Sequence, residues 1–205
     1  MSNVSYIQIP NSIVRDSKIN SLEFCILLYI KYALFTSGGK GEINLDALHI
    51  RNVLNIADNR TLRKALLKLV EHGYILSELD SKKWSKGKIT VNSKKLELNN
   101  KFTQLPSSLI KHIHTIGCPG VRLMYYYESL INRKKTLQIC YPSQEAIKRD
   151  TGLSIRTIIE YNKILVKTKL LKITQHDPRI EYTIEGIANV ERYNNHYEVR
   201  LENLL

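Results

Sequence analysis

One opening is written twice in this chain. YIQIPNSIV at 6–14 returns as FTQLPSSLI at 102–110, with Tyr6 and Phe102, Gln8 and Gln104, Pro10 and Pro106, and Ser12 and Ser108 at one constant offset. The parallel continues downstream. An aliphatic–aromatic helix candidate follows each opening, SLEFCILLYIKYAL (21–34) and VRLMYYYESLI (121–131). Each then leads through a short β-like segment with a polar cap, EINLDAL or ICYPSQEAI, into NRTLRKALLKLVEHGYI (59–75) or IRTIIEYNKILVKTKLLKI (155–173). Arg60-Thr61 matches Arg156-Thr157 and Leu69-Val70 matches Leu165-Val166, with three extra residues assigned to the first copy near Asn52–Asn55. A chain that repeats over such a span is expected to build one supersecondary unit twice. Internal duplication divides the 205 residues near Asn99–Lys101, into 1–99 and 100–205 with a C-terminal extension. Each part is long enough to bury a core of its own.

The second copy spells out its unit in YPSQEAIKRDTGLS (141–154). Ser143 is an N-cap whose hydroxyl can accept from free first-turn amides, and QEAIKRD supplies about two helical turns. Gly152 suits the left-handed residue that ends a helix, Leu153 plugs the core, and Ser154 caps the next helix. In that helix Ile158, Leu165 and Val166 are expected on the buried side, with Arg156, Thr157, Glu160 and Lys163 outward. Cap, short helix, Gly turn, cap and second helix make a helix-turn-helix. LLKITQ and IEYTI then alternate as strands around HDPR, a turn at Pro178, so a β-hairpin wing is expected.

The first copy fits the same plan with a longer wing, YILSEL (74–79) and KITV (88–91) joined by DSKKWSKG. Its second helix buries Leu62, Leu66 and Leu69 and ends at Gly73, with His72 placed favourably against the helix dipole. The expected fold is α+β and mainly helical, with two tandem winged helix-turn-helix domains. GVRLMYYYESLINRKKTLQICYPSQEAIKRDTGLSIRTI resembles the winged helix-turn-helix domains of plasmid and phage replication initiators and replisome organisers, most specifically in CYPSQEAI…TGLSIRT. The paired Q-x-P-x-S openings are similar to the start of such initiators, and the architecture resembles initiators with two winged helices in one chain. The first copy departs at INLDALHIRNVLNIADNRT, and Asn162 stands where the family has a small or apolar residue.

Charge agrees with what that resemblance implies. The chain holds 31 Lys+Arg against 19 Asp+Glu, a surplus of 12 shared equally between residues 1–100 and 101–205. Such a surplus suits a polyanion, and neither half is an acidic partner for the other. Double-stranded DNA would receive the second helix of each unit in its major groove, with N-terminal residues on base edges. Asn59, Arg60, Arg63, Lys64, Lys68, Arg156 and Lys163 are the candidates there, and Thr61 and Thr157 suit phosphate. Ser143, Gln144, Ser154 and Arg179 complete the second unit's DNA-facing set. Glu160 repels phosphate but can accept from cytosine. Ile155 and Ile159 face outward by periodicity; they are read as packing, with thymine methyls as the alternative. In the first wing Lys82, Lys83, Lys86 and Lys88 suit sequence-independent phosphate contact, and Trp84 either stacks on a partner or folds back on its strand. Tyr125, Tyr126 and Tyr127 point three ways around a helix, so they are read as packing. The tail ANVERYNNHYEVRLENLL is either a hairpin turned at Asn194-Asn195 or a docking helix, and either can carry a homodimer contact.

Enzyme chemistries find little support. HIH (112–114) matches the His-hydrophobe-His motif of nicking initiators, but the first copy has Asp16, Ser17 and Lys18 there, and that motif needs a central strand. His112, His114 and Cys118 lack a fourth zinc ligand. No phosphate-cradling Gly loop or Ser-His-Asp pattern occurs. Cys25, Cys118 and Cys140 have no paired spacing for a disulfide framework. No apolar run reaches the ~18 residues of a membrane span and the N-terminus carries no signal pattern, so a cytoplasmic site without membrane contact is expected. The expected protein is not an enzyme and takes no cofactor or small-molecule substrate. It binds double-stranded DNA sequence-specifically, with replication proteins as further partners in initiation. The alternatives are a transcriptional regulator on the same scaffold and a protein-interaction module.

Overall fold

The structure, a computed structural model, describes residues 5–38, 41–79, 84–98, 101–176 and 194–204, and the backbone alone of 179–182 and 188–191. The two similar openings pair with each other. β1 (Tyr6–Pro10) and β4 (Phe102–Pro106) are antiparallel, with Gln8 opposite Gln104, Tyr6 opposite Pro106 and Pro10 opposite Phe102. The register is centred on the glutamines, so each opening meets its counterpart as two copies do about a two-fold axis. Gln8 Nε2 donates to Gln104 Oε1 at 3.0 Å, and the hydroxyls of Ser5 and Ser107 bond beside the ribbon. Pro10 and Pro106 lack the amide a ladder needs, so each ends its strand and starts a helical turn.

The helices then follow in the same order in each half, but where the first has the strand Glu42–Asp46 the second has only an isolated bridge from Cys140 to Tyr197. The first contains α1 (Asn11–Val14), α2 (Ser21–Thr36), β2 (Glu42–Asp46), α3 (Ala47–Leu54), α4 (Asn59–Glu71) and β3 (Lys86–Thr90). The second contains a 3-10 turn (Ser107–His112), α5 (Ile113–Glu128), α6 (Gln144–Thr151), α7 (Ile155–Lys167) and β5 (Leu171–Thr174). Asn20 and Glu23 form a capping box at the start of α2, and α5 is broken at Gly117, where φ is 64°.

The halves share one continuous core in which α2 lies against α5. Phe24 of α2 meets Tyr125 of α5 edge to face at 5.5 Å. Arg122 of α5 is fully buried, donates to the carbonyls of Ile19 and Asp16, and lies over the Phe24 ring. Burial pulls its guanidinium down to about 10. The three consecutive tyrosines are packing residues, and they anchor three different elements. Tyr125 donates to Ile7 O of β1 at 3.0 Å, Tyr126 to Asp150 of α6 at 2.9 Å, and Tyr127 to Asn162 of α7 at 2.8 Å. Asn162 is therefore a buried polar residue with a partner, which explains how an amide occupies an apolar position.

That last bond gives a stability prediction. Tyr127→Phe strands the buried Asn162 oxygen and should destabilise the fold by about 1–3 kcal/mol. Asn162→Leu in the same chain should recover part of the loss. Denaturant midpoints for the two single variants and the double variant would measure the coupling, and additive losses would refute it.

The wings differ from their sequence reading. In the first, β3 pairs with β2, and 74–79 contributes a single bridge, Ile75 to Val91, in place of a strand. Lys82 and Lys83 lie outside the described residues. In the second, β5 pairs with β8 (His196–Val199), while β6 (Arg179–Tyr182) pairs with β7 (Ala188–Glu191). IEYTI is thus not the partner of LLKITQ, and Pro178 of the expected turn lies outside the described residues. The C-terminal segment is the returning wing strand, neither a docking helix nor a hairpin turned at Asn194-Asn195, since β7 and β8 pair with different strands, and the longer wing belongs to the second half. β8 wins the pairing because its alternation buries Tyr197 and Val199, and Tyr197 stacks on Tyr127 at 4.5 Å. Among the described residues no helix is long and apolar enough to cross a membrane.

Candidate nucleic-acid interface

Local hydrogen bonding sets the two helix pairs. In the second half Ser143 Oγ accepts from Ala146 N at 3.1 Å to start α6. Gly152 ends α6 with φ 70°, and Ser154 Oγ accepts from Thr157 N at 3.1 Å to start α7. In the first half Asp46 caps α3, Asn55 takes the left-handed position with φ 52°, and Asp58 caps α4. Asn55 stands for Gly152, buried Ile56 for half-buried Leu153, and Asp58 for Ser154. The first turn (55–58) is longer than the second (152–154) by one residue, not three. Arg51 braces the longer turn, donating to Ala57 O at 2.7 Å, Ile56 O at 3.3 Å and Asn59 Oδ1 at 3.1 Å. Sequence reasoning missed Arg51; a cation on the first helix of the longer turn was its only signal.

The two second helices are each thirteen residues long and match position for position. α4 buries Leu62, Ala65, Leu66 and Leu69, and leaves Asn59, Arg60, Lys64 and Lys68 exposed with Arg63 half-buried. α7 buries Ile158, Asn162 and Leu165, and leaves Arg156 and Lys163 exposed. Asn59, Arg60, Arg63, Lys64, Leu67 and Trp84 line an open groove of about 380 Å³. Trp84 is half-buried against the core, so it folds back and forms one wall of the basic groove. Sequence reasoning did not join it to α4, because that contact spans the turn of the wing. Lys86 and Lys88 alternate on β3, both exposed, with Lys88 Nζ 3.9 Å from Glu42.

Several candidate side chains have structural commitments. Thr61 donates through Oγ1 to Asp58 at 2.9 Å, and Thr157 Oγ1 lies 2.8 Å from Ser154 Oγ. Their shared position is thus explained by capping, and the two bonds from Thr61 hold the Asp58 carboxyl below its ordinary value. Ser143 and Ser154 are caps, and Gln144 is half-buried at the start of α6. Lys68 bonds Glu71 at 2.7 Å. Val166 and Ile159 are exposed, against the expectation that both serve packing, because the inner face of α7 is filled by Ile158, Asn162 and Leu165. The side chain of Arg179 lies outside the described residues. His112 and His114 sit where the 3-10 turn passes into α5, not on a central strand.

A family model described as a helix-turn-helix domain matches residues 128–171, from the end of α5 through α6 and α7 to the first residue of β5. Comparison with curated proteins finds no match. The matched stretch contains both caps and the Gly152 turn, so the second half holds a helix-turn-helix of a DNA-binding type.

Proposed function

We propose that the chain binds double-stranded DNA sequence-specifically through two winged helix-turn-helix units that arose by internal duplication, with no catalytic step and no cofactor. One observation carries this reading: α4 and α7, equal in length and capped at the same position, each expose an arginine at the second helical residue, Arg60 and Arg156. A recognition helix presents base contacts at that end. The centred β1–β4 pairing gives one chain the two readers that a homodimer otherwise supplies. Resemblance to two-winged-helix initiators favours a replication origin as the target, where the bound protein would recruit replication proteins.

Affinity for duplex DNA should fall linearly on a log scale with salt, by about 0.9 in slope for each phosphate neutralised. Selecting bound fragments from the source genome or plasmid then fixes the process: repeats at an origin support initiation, and promoters support transcriptional regulation. A chain that retains no duplex at low salt is an interaction module instead.

A further inference from the structure

α4 and α7 share a length, a cap position and the Arg-Thr pair, yet their exposed faces carry different chemistry. Matching them residue by residue sets Asn59 against Ile155, Arg63 against Ile159, Lys64 against Glu160, and Leu67 against Lys163. Only Arg60–Arg156 and Thr61–Thr157 keep their type on that side. Ile159 is 40% exposed although the core side of α7 is already filled. Ile155, Arg156, Ile159, Glu160, Lys163 and Ile164 line one open groove along the helix. An apolar strip framed by two cations and one carboxylate is not a phosphate site. It matches a major-groove edge that offers thymine methyl groups, with cytosine as the amine donor for Glu160.

We propose that the two units read unlike half-sites: α4 a guanine-bearing one through its arginines, and α7 a thymine-bearing one in which Ile159 seats a C5-methyl. This rests on the DNA-binding reading above and adds the base class that each helix takes. An internally symmetric protein then recognises an asymmetric site and fixes its own orientation on the duplex.

Replacing thymine by uracil removes only the C5-methyl, so it isolates the contact. In the duplex selected by the full-length chain, uracil in the α7 half-site should weaken binding about fourfold for each methyl contacted, the effect of burying one such group. Uracil in the α4 half-site should change nothing. Ile159→Ala should bind the thymine and uracil duplexes equally, and Ile159→Val should keep part of the preference. A melting curve for each variant keeps loss of fold separate, since Ile159 lies outside the core. Unchanged binding on uracil substitution in both half-sites overturns the proposal while leaving DNA recognition standing. So does Ile159→Ala that keeps the thymine preference, or one that alters self-association but not DNA affinity. A chain with no duplex preference at all overturns the underlying reading, and this one with it.

Discussion

Gly152→Ala is expected to destabilise the protein by roughly 2–4 kcal/mol, lowering its melting temperature on the order of 5–15 °C. Two effects add. At φ 70° an L-residue costs about 1–2 kcal/mol. The new Cβ would also stand 2.7 Å from the carbonyl oxygen of Ser17, a backbone atom that cannot swing aside. Ser17 belongs to the first half and Gly152 to the helix-turn-helix of the second, so the substitution strains a close contact between the halves. Gly73→Ala is the control. It has φ 68° but meets only the flexible end of Lys95 at 3.4 Å, so the conformational cost alone applies. Thermal melts of the two variants should differ by several degrees; equal melts would mean that the approach of Gly152 to Ser17 places no demand on the fold.

Arg60→Ala should cost about 1–3 kcal/mol of DNA affinity, roughly 5- to 150-fold, and blur one base pair of one half-site. Arg156→Ala should blur the other half-site by less, because Glu160 lies one turn further along α7 where α4 has Lys64. Both side chains are exposed and off the apolar stripe, so the melts should not move. Lys68→Ala should be nearly silent, its ammonium being held by Glu71 at 2.7 Å near the far end of the helix. Binding-preference profiles beside melts check all three. An arginine variant with both unchanged would remove that residue from the interface.

The difference between what was legible in the sequence and what was not follows the range of the interaction. Ser143, Gly152 and Ser154 act on amides a few residues away, so their spacing alone located α6, the turn and α7. The paired Q-x-P-x-S openings were legible as a repetition, but their pairing into one ribbon is a contact over some hundred residues. Wing pairing failed for the same reason: β5 skips the adjacent strand for β8, whose Tyr197 stacks on Tyr127 of a distant helix. At the candidate site, the outward direction of the cations was legible in the sequence, and the bonds that neighbouring side chains make were not. Thr61 and Thr157 share a position in the repeat, and spacing alone did not reveal that each also bonds the residue that caps its helix. Periodicity set Ile159 outward, but it could not reveal that Asn162, tied to Tyr127, helps fill the inner face.

Selection of bound duplexes from a random library, followed by footprinting of the winner, tests the central claim most directly. Two readers on one chain predict a protected site with two conserved clusters about one helical turn, ~10–10.5 bp, apart on one face of the duplex. One cluster should carry guanine and the other thymine. A single short cluster, unchanged in Arg60→Ala and lost in Arg156→Ala, would show that one unit alone binds DNA and would contradict the account.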